Sequence, residues 1–134
     1  MRDLIKVHKV LSDESRLRVL NLLLERECCV CEVMQALDIS QSKASRILST
    51  LYDAGILKLH KEGLWSLYSI DWNGMNAHFK DVVESTTRAF QGNGVMVADR
   101  ERLRKAERVG PSCVKKFRRE NVATGKDTVS EVKG

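Results

Sequence analysis

Apolar residues recur at helical spacing from the start of the chain. Leu4, Val7 and Leu11, with His8 beside them, predict a first short helix over residues 4–11. Ser12 reads as the N-cap of a second, with Asp13 and Glu14 in the first turn, where the helix dipole favours acids. Leu17, Leu20, Leu23 and Leu24 form its buried stripe, and Arg16, Arg18, Asn21 and Glu25 fill the opposite side. Cys28-Cys29-Val30-Cys31 follows, and residues 32–37 read as a short helix buried through Val33, Met34 and Leu37. Asp38-Ile39-Ser40 is a tight connection ending in an N-cap. The next helix starts at Gln41, and Ala44, Ile47, Leu48 and Leu51 give it the i, i+3, i+4, i+7 pattern, with Gly55 just past its end.

After Gly55 the period changes. Residues 56–61 and 64–70 predict a two-stranded hairpin turning at Lys61-Glu62-Gly63. Asn73-Gly74 breaks it, and Met75, Phe79, Val82, Val83, Thr86 and Phe90 rebuild a helical stripe. A helix, a short turn, a second helix and a following hairpin make a winged helix-turn-helix: a mainly α fold with a small β-hairpin wing. Gln91-Gly92-Asn93-Gly94 marks the boundary between two expected units. Residues 1–92 form the core domain. Residues 93–134 form a basic extension, with a charged helix over 95–108 and a disordered end after Gly110-Pro111-Ser112.

Composition narrows the classes. At 134 residues and 43% hydrophobic content the chain has material for one modest core. The Leu22-Leu23-Leu24 run is far short of the ~20 apolar residues of a membrane span. The start, Met1-Arg2-Asp3-Leu4, lacks the basic and apolar stretches of an export signal, so a cytoplasmic location with no membrane partner is expected. Four cysteines in a reducing compartment point to ligands or sensors rather than structural bridges. Net charge is +5, and it lies at the end of the chain: residues 1–91 hold 12 Lys/Arg and 12 Asp/Glu, whereas residues 92–134 hold 11 and 6. Such a tail is a solvated charged segment or adds non-specific attraction to phosphate.

The helix beginning at Gln41 carries Gln41, Ser42, Lys43, Ser45, Arg46 and Ser49 on its polar side, with no acid until Asp53. Amides, hydroxyls and a guanidinium suit base edges and phosphates, and a recognition helix reads with its N-terminal half. Lys58, His60 and Lys61 put positive charge on the hairpin. Double-stranded operator DNA is therefore the expected partner. An ordinary solvated helix more often mixes Glu into such a face.

Several segments resemble one family. Residues 11–20 (Leu11-Ser12-Asp13-Glu14-Ser15-Arg16-Leu17-Arg18-Val19-Leu20), residues 27–33, Ser40-Gln41-Ser42 with Ser45-Arg46, Ala54-Gly55-Ile56-Leu57, and Glu62-Gly63 with Trp65 and Tyr68 are together similar to the ArsR/SmtB family of metal-sensing repressors, its arsenical-resistance operon repressors above all. The resemblance covers residues 4–91 and extends weakly to Cys113. It implies a homodimer through the first and last core helices, binding to a palindromic operator, and release when an inducer binds. It implies no enzymatic activity. The chain departs from the family at Ser42, where Pro is frequent, and at Ile47, where His is frequent.

The resemblance also assigns the cysteines. Cys29 and Cys31 match the Cys-x-Cys pair of arsenic-responsive members, which implies trivalent arsenic (arsenite) or antimonite as inducer and no enzymatic cofactor. Soft thiolates select soft ions. Met34 stands where some members carry a third cysteine, and Cys28 where Leu is common. Cys28 and Cys113 are the candidate third ligands, Cys28 narrowly preferred. Residues i and i+2 of a regular helix point about 200° apart, so either Cys29 precedes the helix or chelation unwinds its first turn. A helix N-terminus is expected to lower the thiol pKa. Cys28 and Cys31 also form a C-x-x-C, which makes a thiol-redox repressor on the same fold the main alternative. A small thiol enzyme is disfavoured, because the chain shows no Cys-His-acid arrangement and no phosphate loop.

Overall fold

The structure, a computed structural model, describes residues 1–108. The elements follow in the order α1 (Arg2–Leu11), α2 (Glu14–Glu25), α3 (Val30–Leu37), α4 (Gln41–Asp53), β1 (Leu57–Glu62), β2 (Trp65–Ile70), α5 (Ala77–Arg88) and α6 (Gly94–Lys105). Local chemistry explains each start. Asp13, not Ser12, caps α2, its carboxylate accepting from Arg16 N–H at 3.0 Å. Ser12 instead closes α1, its hydroxyl donating to the Lys9 carbonyl at 2.8 Å. Ser40 caps α4 as its position suggested, accepting from Lys43 N–H at 3.1 Å. Asp38 takes the left-handed conformation, φ 54°, at the end of α3, and so turns the chain within two residues. Gly55, at φ 85°, does the same after α4.

The core lies between α2, α3, α4 and the base of the hairpin. Leu20, Leu22, Met34, Leu48, Leu51 and Ile56 are its largest fully buried side chains. Helix α5 packs on α1 through Val83 and Phe79. The hairpin is antiparallel, with Leu57 opposite Ile70, Leu59 opposite Tyr68, His60 opposite Leu67 and Glu62 opposite Trp65. Directly opposed residues share a face. One face carries Leu57, Ile70 and Tyr68 into the main core, and the other carries His60, Leu67, Glu62 and Trp65. Cys28 adds one rung on the free edge of β2: its N–H donates to the Tyr68 carbonyl at 3.0 Å, and Tyr68 N–H donates back at 2.8 Å.

The expected boundary at residues 91–94 is a tight turn, and α6 returns over α2 and α3. Met96 and Leu103 are buried there, and most of the remaining contact is polar. Asp99 is fully buried. It accepts from Arg18 Nε at 2.7 Å and Nη2 at 2.9 Å, and also pairs with Arg102. Buried Asn21 donates to the Met96 carbonyl at 2.9 Å and accepts from Arg100 at 3.0 Å. Arg26 and Arg102 donate to the carbonyls of Leu103 and Ala36. The charges expected on a solvated helix thus bind it to the domain. Gly110-Pro111-Ser112, Cys113 and the expected disordered end lie outside the described residues. Among the described residues no helix is long and apolar enough to cross a membrane.

Removing one partner of a buried pair leaves the other uncompensated. Asp99→Ala is expected to destabilise the protein by ~2–3 kcal/mol, discounted for the partial exposure of Arg18 and Arg102. Urea denaturation would show a lower midpoint. An unchanged midpoint would mean that α6 contributes little to the folded unit.

Candidate thiol site and nucleic-acid interface

The thiol site is built where a strand rung becomes a helix. Residues 27–29 run extended beside β2, so alternate side chains take opposite faces. Cys28 points with Tyr68 into the main core and is fully buried, its Sγ 3.4 Å from the Arg26 carbonyl. Cys29 points the other way. Its backbone is extended (φ −91°, ψ 170°), and it is the N-cap of α3. Cys31 is the second residue of the helix, and Cys29 and Cys31 come together in a small buried cluster with Leu67 and Trp65 from the second face of the hairpin. Of the two geometries open to a Cys-x-Cys pair, this is the one in which the first cysteine precedes the helix. The structure separates Cys28 from the pair, so the preference for it as third ligand does not match its placement. Cys113 lies outside the described residues.

Glu32 organises this turn. With Cys29 it forms a capping box: Cys29 N–H donates to Glu32 Oε1 at 2.9 Å, and the Cys29 sulfur accepts from Glu32 N–H. The Glu32 carboxylate is buried and also takes Arg26 Nη1 at 2.5 Å and Arg108 Nη2 at 3.2 Å. Arg108 lies over the Trp65 ring, 5.9 Å from its centroid. Gln35 Nε2 donates to Cys31 Sγ at 3.1 Å and to the Glu107 carbonyl at 2.8 Å, while Glu107 N–H returns to Gln35 Oε1 at 3.0 Å. Residues 106–108 thus close over the end of α3 that bears the thiols. Glu32, Gln35, Leu67 and Arg108 were not among the site residues expected from the sequence. The three-residue spacing of Cys29 and Glu32 was the available signal, because it is the N-cap-to-N3 spacing of a capping box.

The Cys28 and Cys29 thiols are not acidified by the helix N-terminus. Burial pushes the Cys29 thiol up, and the Glu32 N–H offsets this only in part. Burial raises Cys28 from an ordinary 9.0 to about 12, and the Glu32 carboxylate adds to the shift.

On α4, Ser42, Lys43, Arg46 and Ser49 are exposed. Gln41 and Ser45 are half-buried and hydrogen-bonded to each other at 2.9 Å. Lys43, Arg46 and Thr50 face Asp13, Ser15 and Arg16 of the α2 start across a polar cleft. Lys58 and Lys61 are exposed on the wing. His60 is not presented as an isolated donor, because its Nε2 lies 3.4 Å from Glu27 Oε1 and 3.9 Å from Glu62 Oε2.

The pH dependence of stability carries the mark of Cys28. Its folded pKa is raised, so its contribution is fully present below about pH 9.0 and is lost as pH rises toward about 12. Cys28→Ala removes the ionisable group, and denaturation midpoints of this variant should fall less steeply above pH 9 than those of the parent. Parallel curves would contradict the burial of the Cys28 thiol.

Residues 13–59 match the model of bacterial regulatory proteins of the arsR family. The arsenic resistance transcriptional regulator ArsR1 of Pseudomonas putida is 35% identical over 99 residues, which cover 69% of this chain and 76% of the relative. The cadmium resistance transcriptional regulatory protein CadC homolog of Staphylococcus aureus is 41% identical over 83 residues, 61% of this chain and 65% of its own length. The arsenical resistance operon repressor of Escherichia coli K12 is 45% identical over 67 residues, 49% of this chain and 57% of its own. In the last two the match thus spans less than two thirds of the relative. Among solved structures, reduced HlyU from Vibrio cholerae superimposes with a TM-score of 0.56 at 27% identity, covering 67% of this chain and 90% of that one. The adhesin competence repressor AdcR from Streptococcus pyogenes, at 14% identity and a TM-score of 0.51, shares the fold. The relatives named here are regulators or repressors rather than enzymes, and with the winged helix-turn-helix and the matched motif they place the chain in the arsR family of bacterial regulatory proteins.

Proposed function

We propose that the protein is a homodimeric repressor that binds a palindromic operator and releases it when trivalent arsenic, or antimonite, binds Cys29 and Cys31. The observation that carries this reading is the burial of these two thiols in one cluster at the start of α3, the helix that turns directly into α4. In the DNA-bound form Ser42, Lys43, Arg46 and Ser49 face the groove, with Gln41 and Ser45 setting the face and His60 and Lys61 on the wing. The dimer forms through α1 and α5. Leu4 and Ile5, 43% and 51% exposed, lie beside a cleft lined by Leu11, Asp81 and Val82, and such an apolar strip suits a second copy.

Ligation acts through the sulfurs themselves. The Cys29 sulfur caps α3 through the Glu32 N–H, and the Cys31 sulfur accepts from Gln35. An ion drawing on both sulfurs competes with both hydrogen bonds. The first turn of α3 loses its cap, and Gln35, which also bonds Glu107, loses one of the bonds that position it. Helix α3 packs on α4, so the DNA-competent geometry of α4 is disfavoured. The third donor is Cys113 or a small external thiol, since Cys28 sits in the main core.

Sensing of cadmium is the second reading, supported by the 41% identical cadmium resistance relative. A redox switch gains support from the likeness to reduced HlyU, but the burial and high pKa of Cys28 disfavour a Cys28–Cys31 disulfide. Cys29→Ser and Cys31→Ser are each expected to bind operator as the parent does and to retain it in saturating arsenite. Cys28→Ser should still release it. Gel-shift titrations of the reduced proteins with arsenite, cadmium and peroxide would separate the readings. Normal arsenite release by both pair variants would refute the site.

A further inference from the structure

The hairpin face that covers the thiol pair carries a second cluster of ligating groups. The alternation that sends Cys28 into the core places Glu27 on the same side as Cys29. Across β2 from Glu27, His60 and Glu62 occupy the i and i+2 positions of β1 on that face. One ligand atom from each of Glu27, His60 and Glu62 lies within 4.8 Å of the others. Two of the separations involve His60 Nε2, at 3.4 Å to Glu27 Oε1 and 3.9 Å to Glu62 Oε2.

We propose that Glu27, His60 and Glu62 form a site for a borderline divalent cation such as Zn2+ or Co2+, separate from the thiol pair and clamping the wing to the loop between α2 and α3. Three observations carry it. Bonds of about 2.0–2.2 Å in tetrahedral geometry put ligand atoms about 3.3–3.6 Å apart. The Glu27 pair already has that spacing, and the exposed Glu62 side chain, 3.9 Å from His60 Nε2 and within 4.8 Å of Glu27, is free to close on both. Two carboxylates and an imidazole suit a borderline cation rather than a soft one. Finally, among the described residues the ion pairs of both carboxylates run to His60 alone, so the imidazole brings the two acids to one point. All three groups reach solvent, with side-chain exposures of 37%, 45% and 62% for Glu27, His60 and Glu62. Water therefore completes the coordination. The bound cation would neutralise the acids next to Lys58 on the wing and fix the face that carries Leu67 over Cys29 and Cys31.

The test is a Co2+ titration of the reduced full-length chain, followed by visible and near-ultraviolet absorption. One equivalent should bind with d–d bands and without a thiolate-to-cobalt charge-transfer band. The Cys29→Ser/Cys31→Ser double variant should bind it equally well. His60→Ala and Glu27→Gln should each weaken binding by at least about tenfold while the far-ultraviolet circular dichroism stays unchanged. Glu62→Gln should weaken it less, and Zn2+ should displace the cobalt. The proposal is overturned by a charge-transfer band that vanishes in the double cysteine variant, by affinity unmoved in both His60→Ala and Glu27→Gln, or by no saturable binding of Co2+ up to millimolar concentration. The first of these outcomes would leave the thiol site of the proposed function intact, so the two can fail separately.

Discussion

The Glu32 carboxylate is 2% exposed, and its two oxygens serve Cys29 N–H, Arg26 and Arg108. A buried carboxylate is tolerated only when its charge and lone pairs are met. Meeting them fixes three parts of the chain at once. It holds Cys29 extended at the mouth of α3, it sets the loop leaving α2, and it draws residues 106–108 back over Trp65. The two thiols share a cluster because Cys29 is kept out of the helix. A regular helix through residue 29 would turn the two side chains about 200° apart.

The same turn joins the thiol cluster to α4. Helix α3 has only eight residues, and a left-handed Asp38 and the Ser40 cap join it to α4. A helix so short depends on its cap, because few internal hydrogen bonds remain if the first turn is lost. Here the cap is a sulfur, a weaker hydrogen-bond acceptor than the usual oxygen but a far better ligand for a soft ion. The residue that starts α3 is thus the one that the proposed inducer would take away from it.

Much of this fold was legible in the pattern of apolar residues. The stripes of α1, α2 and α4, the Ser40 cap, the Gly55 stop and the change of period into the hairpin all reflect local rules acting on local sequence. Helix α6 was legible as a helix but not as part of the body. Apart from Met96 and Leu103 its contacts run through Asp99, Arg100, Arg102 and Arg104 to partners 66 to 81 positions away, and charged side chains reveal no buried face to periodicity. The cysteines divide in the same way. The family resemblance singled out Cys29 and Cys31. The assignment of Cys28 to the core depended on its rung with Tyr68, a pairing across 40 residues, and the pairing of His60 with Glu27 depended on that rung as well.

The central claim is that ligation removes the sulfur cap of α3 and so loosens the path to α4. Amide hydrogen exchange of the reduced protein, with and without arsenite and in the absence of DNA, tests it most directly. The Glu32 and Val33 amides should lose protection when arsenite binds, with smaller losses at the start of α4. The hydrogen bonds of the α2 interior should keep theirs. Unchanged protection throughout α3 in the arsenite-bound protein would contradict the account.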